Sequence, residues 1–249
     1  MEYVDIIMPA YNCEKYIKFA IQSVRKQTIS NWRLIIIDDK STDNTVKEIE
    51  KAINKIEEKV VFIKLDKNRG VANARNVGIN NSRNRYIAFL DADDIWREDK
   101  LEKQLNYMKK NKYIFTYTSY RYLKNSKYKN IKKMPKYLSY KSALKNTFIL
   151  TSTVIIDTRN IRKNELIMPN IGSEDTATWW NILKNGYTAY GYNEILTTYR
   201  ITKHGLSYNK FINIRKTWNL YRRNEKLNIF KSTYYFLNYI YNAVKKRVV

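Results

Sequence analysis

The sequence predicts an α/β protein with a mostly parallel sheet flanked by helices, followed by C-terminal amphipathic helices. Three observations predict it. Apolar runs and helix-period segments alternate through the first hundred residues, and strands separated by helices of that length imply right-handed crossovers in a parallel sheet. Leu34-Ile35-Ile36-Ile37 is apolar at consecutive positions, the pattern of a strand buried on both faces. Beyond residue 210, apolar and aromatic residues recur at three- and four-residue steps, the period of a helix with one apolar stripe.

The elements follow in order. Val4 to Met8 is a short apolar run ending at Pro9. Glu14 to Thr28 carries Ile17, Ala20, Ile21 and Val24 at helical spacing. Leu34–Ile37 is the second strand. Ser41, Thr42 and Asp43 offer capping side chains for a helix reaching about Lys55. Val60 to Leu65 is the third strand, and Asn68-Arg69-Gly70 turns the chain into a helix from Val71 to about Asn80. Tyr86 to Leu90 is the fourth strand. Tyr113 to Leu123 reads as an alternating strand, followed by the basic stretch Lys124 to Lys136. Thr151 to Asp157 and Ile195 to Ile201 read as further strands. Ser173 is placed to cap a helix running from Glu174 to Asn185. Phe211, Ile214, Trp218 and Tyr221, then Leu227, Phe230, Tyr234, Leu237, Tyr241 and Val244, define two amphipathic helices or one interrupted helix, ending in Lys245-Lys246-Arg247.

Charge divides the chain. There are 47 Lys and Arg against 23 Asp and Glu, a net of +24. Residues 1–100 hold 18 basic and 16 acidic side chains; residues 101–249 hold 29 and 7. The second part should seek something anionic, whether nucleic acid, a phosphorylated substrate or an acidic lipid surface. A nucleic-acid-binding protein is the first alternative, but no RRM, KH, helix-turn-helix or zinc signature is present. The single Cys13 rules out an internal disulfide and a cysteine zinc cluster, and it reads as a small buried residue. No run of 18 uncharged apolar residues offers a spanning helix. The N-terminus has no basic-then-apolar leader. The expected location is cytoplasmic, peripheral on the cytoplasmic face of the inner membrane.

Ligands of open α/β sheets sit beyond the carboxyl ends of the strands. Acids sit at two of those ends: Asp38-Asp39 after the second strand, and Asp91-Ala92-Asp93-Asp94 after the fourth. Burying an unpaired carboxylate is costly, so such clusters read as a cation site or a ligand clamp. Asp94 is equally placed to cap a following helix.

Four segments in this order carry a resemblance. They are Asp5-Ile-Ile-Met-Pro-Ala-Tyr-Asn12, Ile35-Ile-Ile-Asp-Asp-Lys-Ser-Thr-Asp43, Phe89-Leu-Asp-Ala-Asp-Asp-Ile-Trp96 and Glu174-Asp175. Together they resemble the inverting family 2 glycosyltransferases of GT-A fold. Tyr199-Arg-Ile-Thr-Lys-His-Gly-Leu-Ser207 and Lys231-Ser-Thr-Tyr-Tyr-Phe236 are similar to the bacterial teichuronic-acid, capsule and O-antigen enzymes. The resemblance implies a Rossmann-like GT-A domain over 1–208, with a nucleotide-sugar half at 1–100 and an acceptor half at 101–208. Residues 209–249 would be a basic helical extension.

The resemblance also implies roles. Asp91-Ala92-Asp93 has the form of the family's DXD motif, so Asp93 would ligate Mn²⁺ or Mg²⁺ and Asp91 would face metal or ribose. A divalent ion there bridges diphosphate oxygens as a Lewis acid. Asp175 matches the general base, with Glu174 beside it toward the acceptor. One base opposite the leaving group implies in-line displacement with inversion. Pro9, Ala10, Tyr11 and Asp39 match the nucleotide-binding turn, while Asp38 orders the loop. Arg69 or Arg75 would contact the nucleotide, with Asn73 and Asn76 as polar neighbours. Arg200 would neutralise the diphosphate. His204 would join the metal, and Ser207 is a weaker candidate. Trp179 and Trp180 would either stack on acceptor sugars or pack in the core.

The implied reaction moves a sugar from a nucleotide sugar, UDP by family frequency, to a lipid-linked oligosaccharide in bacterial surface polysaccharide or lipooligosaccharide synthesis. Partners would be that donor, a polyprenyl-diphosphate or lipooligosaccharide acceptor, and an anionic membrane surface, with no nucleic acid. A nucleotidyltransferase on a related fold is the second alternative, but its glycine-rich first loop is absent from Pro9-Ala10-Tyr11-Asn12.

Overall fold

A computed structural model describes residues 2–146, 149–202 and 210–248; the side chains of 210–212 and 243–248 are outside the description. The chain runs β1 (Val4–Ala10), α1 (Ile17–Arg25), β2 (Trp32–Asp38), α2 (Thr45–Ile53), β3 (Val60–Lys64), α3 (Val71–Asn81) and β4 (Tyr86–Phe89). It continues through β5 (Ile95–Trp96), α4 (Lys100–Asn111), β6 (Phe115–Lys124), β7 (Lys127–Lys132), β8 (Tyr137–Leu138), α5 (Tyr140–Leu144) and β9 (Ile155–Asp157). It ends with α6 (Glu174–Lys184), β10 (Ala189–Arg200), α7 (Lys210–Asn219) and α8 (Ile229–Val248).

The described strands form one sheet in the order β3-β2-β1-β4-β9-β6-β10-β5, with β7 on β6 and β8 on β10. Strands β1 to β4 pair in parallel, as the alternation of strand and helix predicts. Strand β9 then runs antiparallel to both β4 and β6 and joins the second half to the first. Strands β6 and β10 are again parallel.

The consecutive apolar residues of the strands divide between two cores. Ile7, Ile35, Ile37 and Phe89 face one side, and Ile6, Met8, Leu34 and Ile36 face the other. Each fully buried side chain of this kind contributes about 1.5–3 kcal/mol. Helix α3 packs so closely on the sheet that a Cβ on Gly78 would come within 2.5 Å of Ile7 and 2.9 Å of Ile37. Asp5 is wholly buried yet saturated: it pairs with Arg33 and accepts the backbone N–H groups of Arg83 and Asn84.

Several expectations are corrected. The helix expected over 14–28 spans only Ile17–Arg25, because the Glu14 N–H is taken by Asp43 and a turn closes on the Cys13 carbonyl. The segment 151–157 is not all strand. Thr151–Thr153 is a 3₁₀ turn and only Ile155–Asp157 pairs; the Thr153 hydroxyl donates to the Leu150 carbonyl, a local bond that competes with a ladder. Strand β6 is not alternating over its first six residues, since it lies centrally and is buried on both faces. Ser173 has φ 68° and makes no side-chain cap. The basic stretch after β6 folds back as β7, an exposed strand rich in lysine. Helix α4 escapes the reading because its start is dominated by charge.

One of those charges is unusual. Lys100 is fully buried, and its Nζ has no hydrogen-bond partner among the described residues and lies 3.8 Å from the Trp96 ring centroid. Burial pulls its pKa well below the ordinary 10.5. The unfolded chain therefore holds a proton that the folded chain releases, so stability rises with pH between the lowered value and 10.5. Lys100→Met should raise stability by about 1–2 kcal/mol at neutral pH and remove that slope. Urea denaturation at a series of pH values checks this; a less stable Met variant would contradict it.

The C-terminal spacing does give two helices, joined by a π turn over Leu220–Asn224. Tyr235 and Phe236 of α8 pack inward, with Phe236 edge-on to Trp218 of α7 and Tyr235 stacked on Tyr221. The opposite face carries Phe230, Tyr234, Leu237 and Tyr241, which are 83, 52, 59 and 64% exposed.

Candidate active site

The carboxyl ends of β1, β2 and β4 open into one cleft of about 2060 Å³. That volume is well above the roughly 300–1,000 Å³ of a single small-molecule site. Its lining includes Pro9, Ala10, Tyr11, Asp39, Arg75, Asp91, Asp93, Glu174, Asp175 and Arg200. Residues from six separate segments thus converge at this end of the sheet.

At the β2 end, Asp39 is buried and accepts the backbone N–H groups of Arg69 at 3.0 Å and Gly70 at 2.7 Å. Gly70 stands at φ 88°, a left-handed conformation that favours glycine. Asp39 therefore latches the turn that opens α3 and shapes the wall beside Tyr11. Asp38 is buried and accepts the Ser41 N–H, ordering the loop as expected.

At the β4 end, three acids follow one another in different settings. Asp94 is fully buried and accepts the Ser152 hydroxyl at 2.5 Å and the Arg200 N–H at 3.0 Å. Burial and the neighbouring Asp93 and Asp91 charges push its pKa well up. It fastens β10 to this loop and does not cap the next helix, which corrects that expectation. Asp93 faces the cleft; burial first, then Asp91, push its carboxyl up to about 6. Arg200 donates from Nε to the Asp93 carbonyl at 3.0 Å, and its guanidinium lies 5.0 Å from the Tyr16 ring centroid.

Arg75 ties the acid loop to α6. It is buried, with Nη2 at 2.8 Å from Asp91 and Nη1 at 2.8 Å from Glu174. Burial opposes its charge, but Asp91, Asp175 and Glu174 more than compensate and hold its pKa up. Burial and the adjacent Asp175 push Glu174 up, against Arg75. Asp175 itself accepts the Thr151 hydroxyl at 2.9 Å and the Thr176 N–H at 2.6 Å. Its carboxylate is thus oriented at the cleft end of α6 by a neutral hydroxyl and a backbone amide.

The residues fit a hard divalent cation. Asp93 is a mostly buried carboxylate on which Arg200 and Arg75 act only through their charge at a distance, and Asp91 lies one residue away from it in the loop. No trio of His, Cys, Asp or Glu converges among the described residues. One or two carboxylates with substrate phosphate oxygens and water is the usual holding of Mg²⁺ or Mn²⁺ in nucleotide sites.

Several expected residues stand elsewhere. Trp179 and Trp180 are 1 and 2% exposed. Trp179 packs on Phe89 and Phe115, and Trp180 stacks on Tyr221. Neither offers a face to an acceptor sugar, which corrects that reading in favour of core packing. The Arg69 side chain is exposed and outside the cleft lining; its backbone serves Asp39 instead. Asn76 exchanges two hydrogen bonds with the Met168 backbone, and neither it nor Asn73 lines the cleft. His204 and Ser207 lie outside the described residues. Cys13 is buried, and burial pushes its thiol up to about 12, so a nucleophilic thiolate is not formed.

Other residues were missed. Tyr120, Tyr122 and Tyr199 form an edge-to-face cluster on the cleft wall, with centroids 5.3 to 6.2 Å apart. Their signal is the period-two pair Tyr120 and Tyr122 on one strand, with Tyr199 opposite Tyr122 on the next. Thr151 and Ser152 hold Asp175 and Asp94; a run of three hydroxyls inside an apolar stretch was the available clue.

Comparisons agree with this geometry. The sequence pattern described as Glycosyl transferase family 2 matches residues 5–168. A Bacillus subtilis (strain 168) protein named for teichuronic acid biosynthesis, TuaG, is 42% identical over 98% of this chain and 97% of its own. An Escherichia coli UDP-Glc:alpha-D-GlcNAc-diphosphoundecaprenol beta-1,3-glucosyltransferase, WfgD, is 36% identical over 98% of this chain and 94% of its own. A mannosyltransferase from Pyrobaculum calidifontis, solved with GDP-Man and Mn²⁺, superposes with TM-score 0.71 at 17% identity, over 94% of this chain and 70% of that one. Two relatives matched nearly end to end, and a family pattern that spans the acid loop, place the chain in glycosyl transferase family 2: it is a glycosyltransferase of GT-A fold.

Proposed function

We propose that the protein transfers a sugar from a UDP-sugar to a hydroxyl of a polyprenyl-diphosphate-linked saccharide, with inversion, in surface polysaccharide synthesis. The observation that carries this reading is the single cleft in which Arg75 bridges Asp91 of the acid loop to Glu174, the neighbour of Asp175. Donor-side acids and acceptor-side base are thereby held in one rigid frame. The UDP donor and diphospholipid acceptor are supported by the printed activity of the Escherichia coli relative.

In this reading the Pro9–Tyr11 turn and Asp39 form the nucleotide wall. Asp91 and Asp93 would hold Mn²⁺ or Mg²⁺, which supplies Lewis-acid neutralisation of the leaving diphosphate. Arg200 adds positive charge on the same side. Asp175 takes the proton of the acceptor hydroxyl as its oxygen bonds to the anomeric carbon and the carbon–phosphate oxygen bond breaks. Nucleoside diphosphate leaves on the opposite face. The test is a panel of nucleotide sugars, UDP-glucose first, scored for acceptor-dependent nucleoside diphosphate release with Mn²⁺, with Mg²⁺ and with EDTA. UDP release that needs acceptor and metal is expected. Full activity in EDTA would remove the metal from the account.

A polyprenyl acceptor is presented at a bilayer. No helix among the described residues is long and apolar enough to cross one. The exposed Phe230, Tyr234, Leu237 and Tyr241 stripe of α8 suits the headgroup boundary, where an amphipathic helix lies in plane. The surplus cations of residues 101–249 would face anionic lipid, at about 1 kcal/mol for each near the surface. Phe230→Glu with Leu237→Glu should lower partition onto phosphatidylglycerol vesicles at least tenfold. Unchanged partition in a flotation assay would reject this face.

A further inference from the structure

The cleft continues past Asp175 onto α7. Asn213, Lys216 and Thr217, at helical steps that put them on one face, line it together with Gly172 and Ser173, the residues just before the Glu174-Asp175 pair. The Lys216 stem lies directly on Gly172: a Cβ there would meet its Cγ, Cδ and Cε at 2.8 to 2.9 Å. Glycine at 172 therefore keeps a lysine pressed against the loop that leads into Glu174 and Asp175. The Thr217 hydroxyl is turned back to the Asn213 carbonyl, so Lys216 is the charged group this face offers. Among the described residues no carboxylate pairs with Lys216, whereas Arg75 in the same cleft is neutralised by Asp91 and Glu174.

Helix α8 packs beside α7. Tyr239 of α8 lines the same cleft, Phe236 joins α8 to Trp218 of α7, and the far face of α8 is the exposed aromatic stripe. Asp175, Lys216 on Gly172 and Tyr239 thus share one cleft, and the helix that contributes Tyr239 carries the apolar stripe on its other face. A lipid-linked acceptor has three matching parts: hydroxyl, phosphates, hydrocarbon.

Resting on the acceptor class proposed above, we propose that Lys216, seated on Gly172, is the binding residue for the acceptor's lipid-linked diphosphate, distinct from the Arg200 side that faces the donor. A lysine ammonium gives up to three donors to phosphate oxygens. A hydrogen bond to a charged group of this kind corresponds to roughly tenfold or more in affinity.

The test is calorimetric titration with farnesyl diphosphate and with farnesol, in saturating UDP so that the donor site is filled. Wild-type protein should prefer the diphosphate. Lys216→Met should cut that preference about tenfold, and Lys216→Arg should keep most of it. Gly172→Ala should displace the lysine and cut the preference as well, with no further loss when combined with Lys216→Met. Equal preference in wild type and Lys216→Met, or fully additive losses in the double variant, would overturn the assignment. This readout needs no turnover: absence of sugar transfer would defeat the proposed reaction, whereas an unaltered binding preference would defeat Lys216 alone.

Discussion

Asp175→Asn should lower kcat by about 10²–10⁴-fold, the usual contribution of a positioned general base. The substitution is nearly isosteric. The Thr176 N–H still meets an oxygen, and the Thr151 hydroxyl can rotate to accept from the new amide. The fold and the donor site should therefore persist, and KM for the nucleotide sugar should change little. A loss confined to kcat marks an interaction made in the transition state. Thr151→Val should act in the same direction but less, because it frees the carboxylate rather than removing it. Steady-state nucleoside diphosphate release checks both. Full activity in Asp175→Asn would remove the base from the mechanism.

Arg75→Met should destabilise the protein by about 3–5 kcal/mol, the range for removing one partner from a buried ion pair. Met matches the stem but leaves two carboxylates facing each other across the space that the guanidinium filled. Glu174 is only 12% exposed at its side chain and is already disfavoured by burial and by Asp175. Arg75→Lys should recover only part, since one ammonium cannot present two parallel donors to acids on different elements. Denaturant midpoints measure this. A loss below 1 kcal/mol would show that the bridge organises nothing. Activity should fall in both variants, because the acid loop and the start of α6 lose their common anchor.

The first hundred residues were legible because β1, β2 and β4 are buried on both faces and the crossover helices have an apolar side. Leu34–Ile37 could be nothing but a buried strand, and Asp39 fell at its end and Asp91 at the end of β4, two strands away. The second half was harder. Strand β9 has three residues, too few to show a period, and its approach is a turn held by hydroxyls. Trp179 and Trp180 sit close to the base in sequence, but α6 enters the core within its second turn and takes both indoles with it. The three tyrosines that cluster on the cleft wall come from two strands, and only pairing brings Tyr122 opposite Tyr199, 77 residues away. Arg75 was found as a basic neighbour of the nucleotide; its bond to Glu174, 99 residues away, is a tertiary fact.

The uneven charge also has a structural counterpart. Five of the 16 acids of residues 1–100 stand where β2 and β4 end, and Asp38, Asp39, Asp91 and Asp94 among them are matched by backbone amides, a hydroxyl or Arg75. The cations of the later residues include Arg200 and Lys216 on two walls of the cleft and the lysines of the exposed β7. In the reading proposed above, Arg200 serves the leaving diphosphate and Lys216 the diphosphate of the acceptor.

The most direct measurement is the anomeric configuration of the product. With UDP-glucose, an α-linked donor, as sugar source and a short polyprenyl-diphosphate saccharide as acceptor, proton NMR of the transferred residue should show the large coupling of a β linkage. In the proposed mechanism a single base, Asp175, acts opposite the leaving diphosphate, and that requires inversion. An α-linked product would mean retention and would contradict the one-base displacement on which the whole account depends.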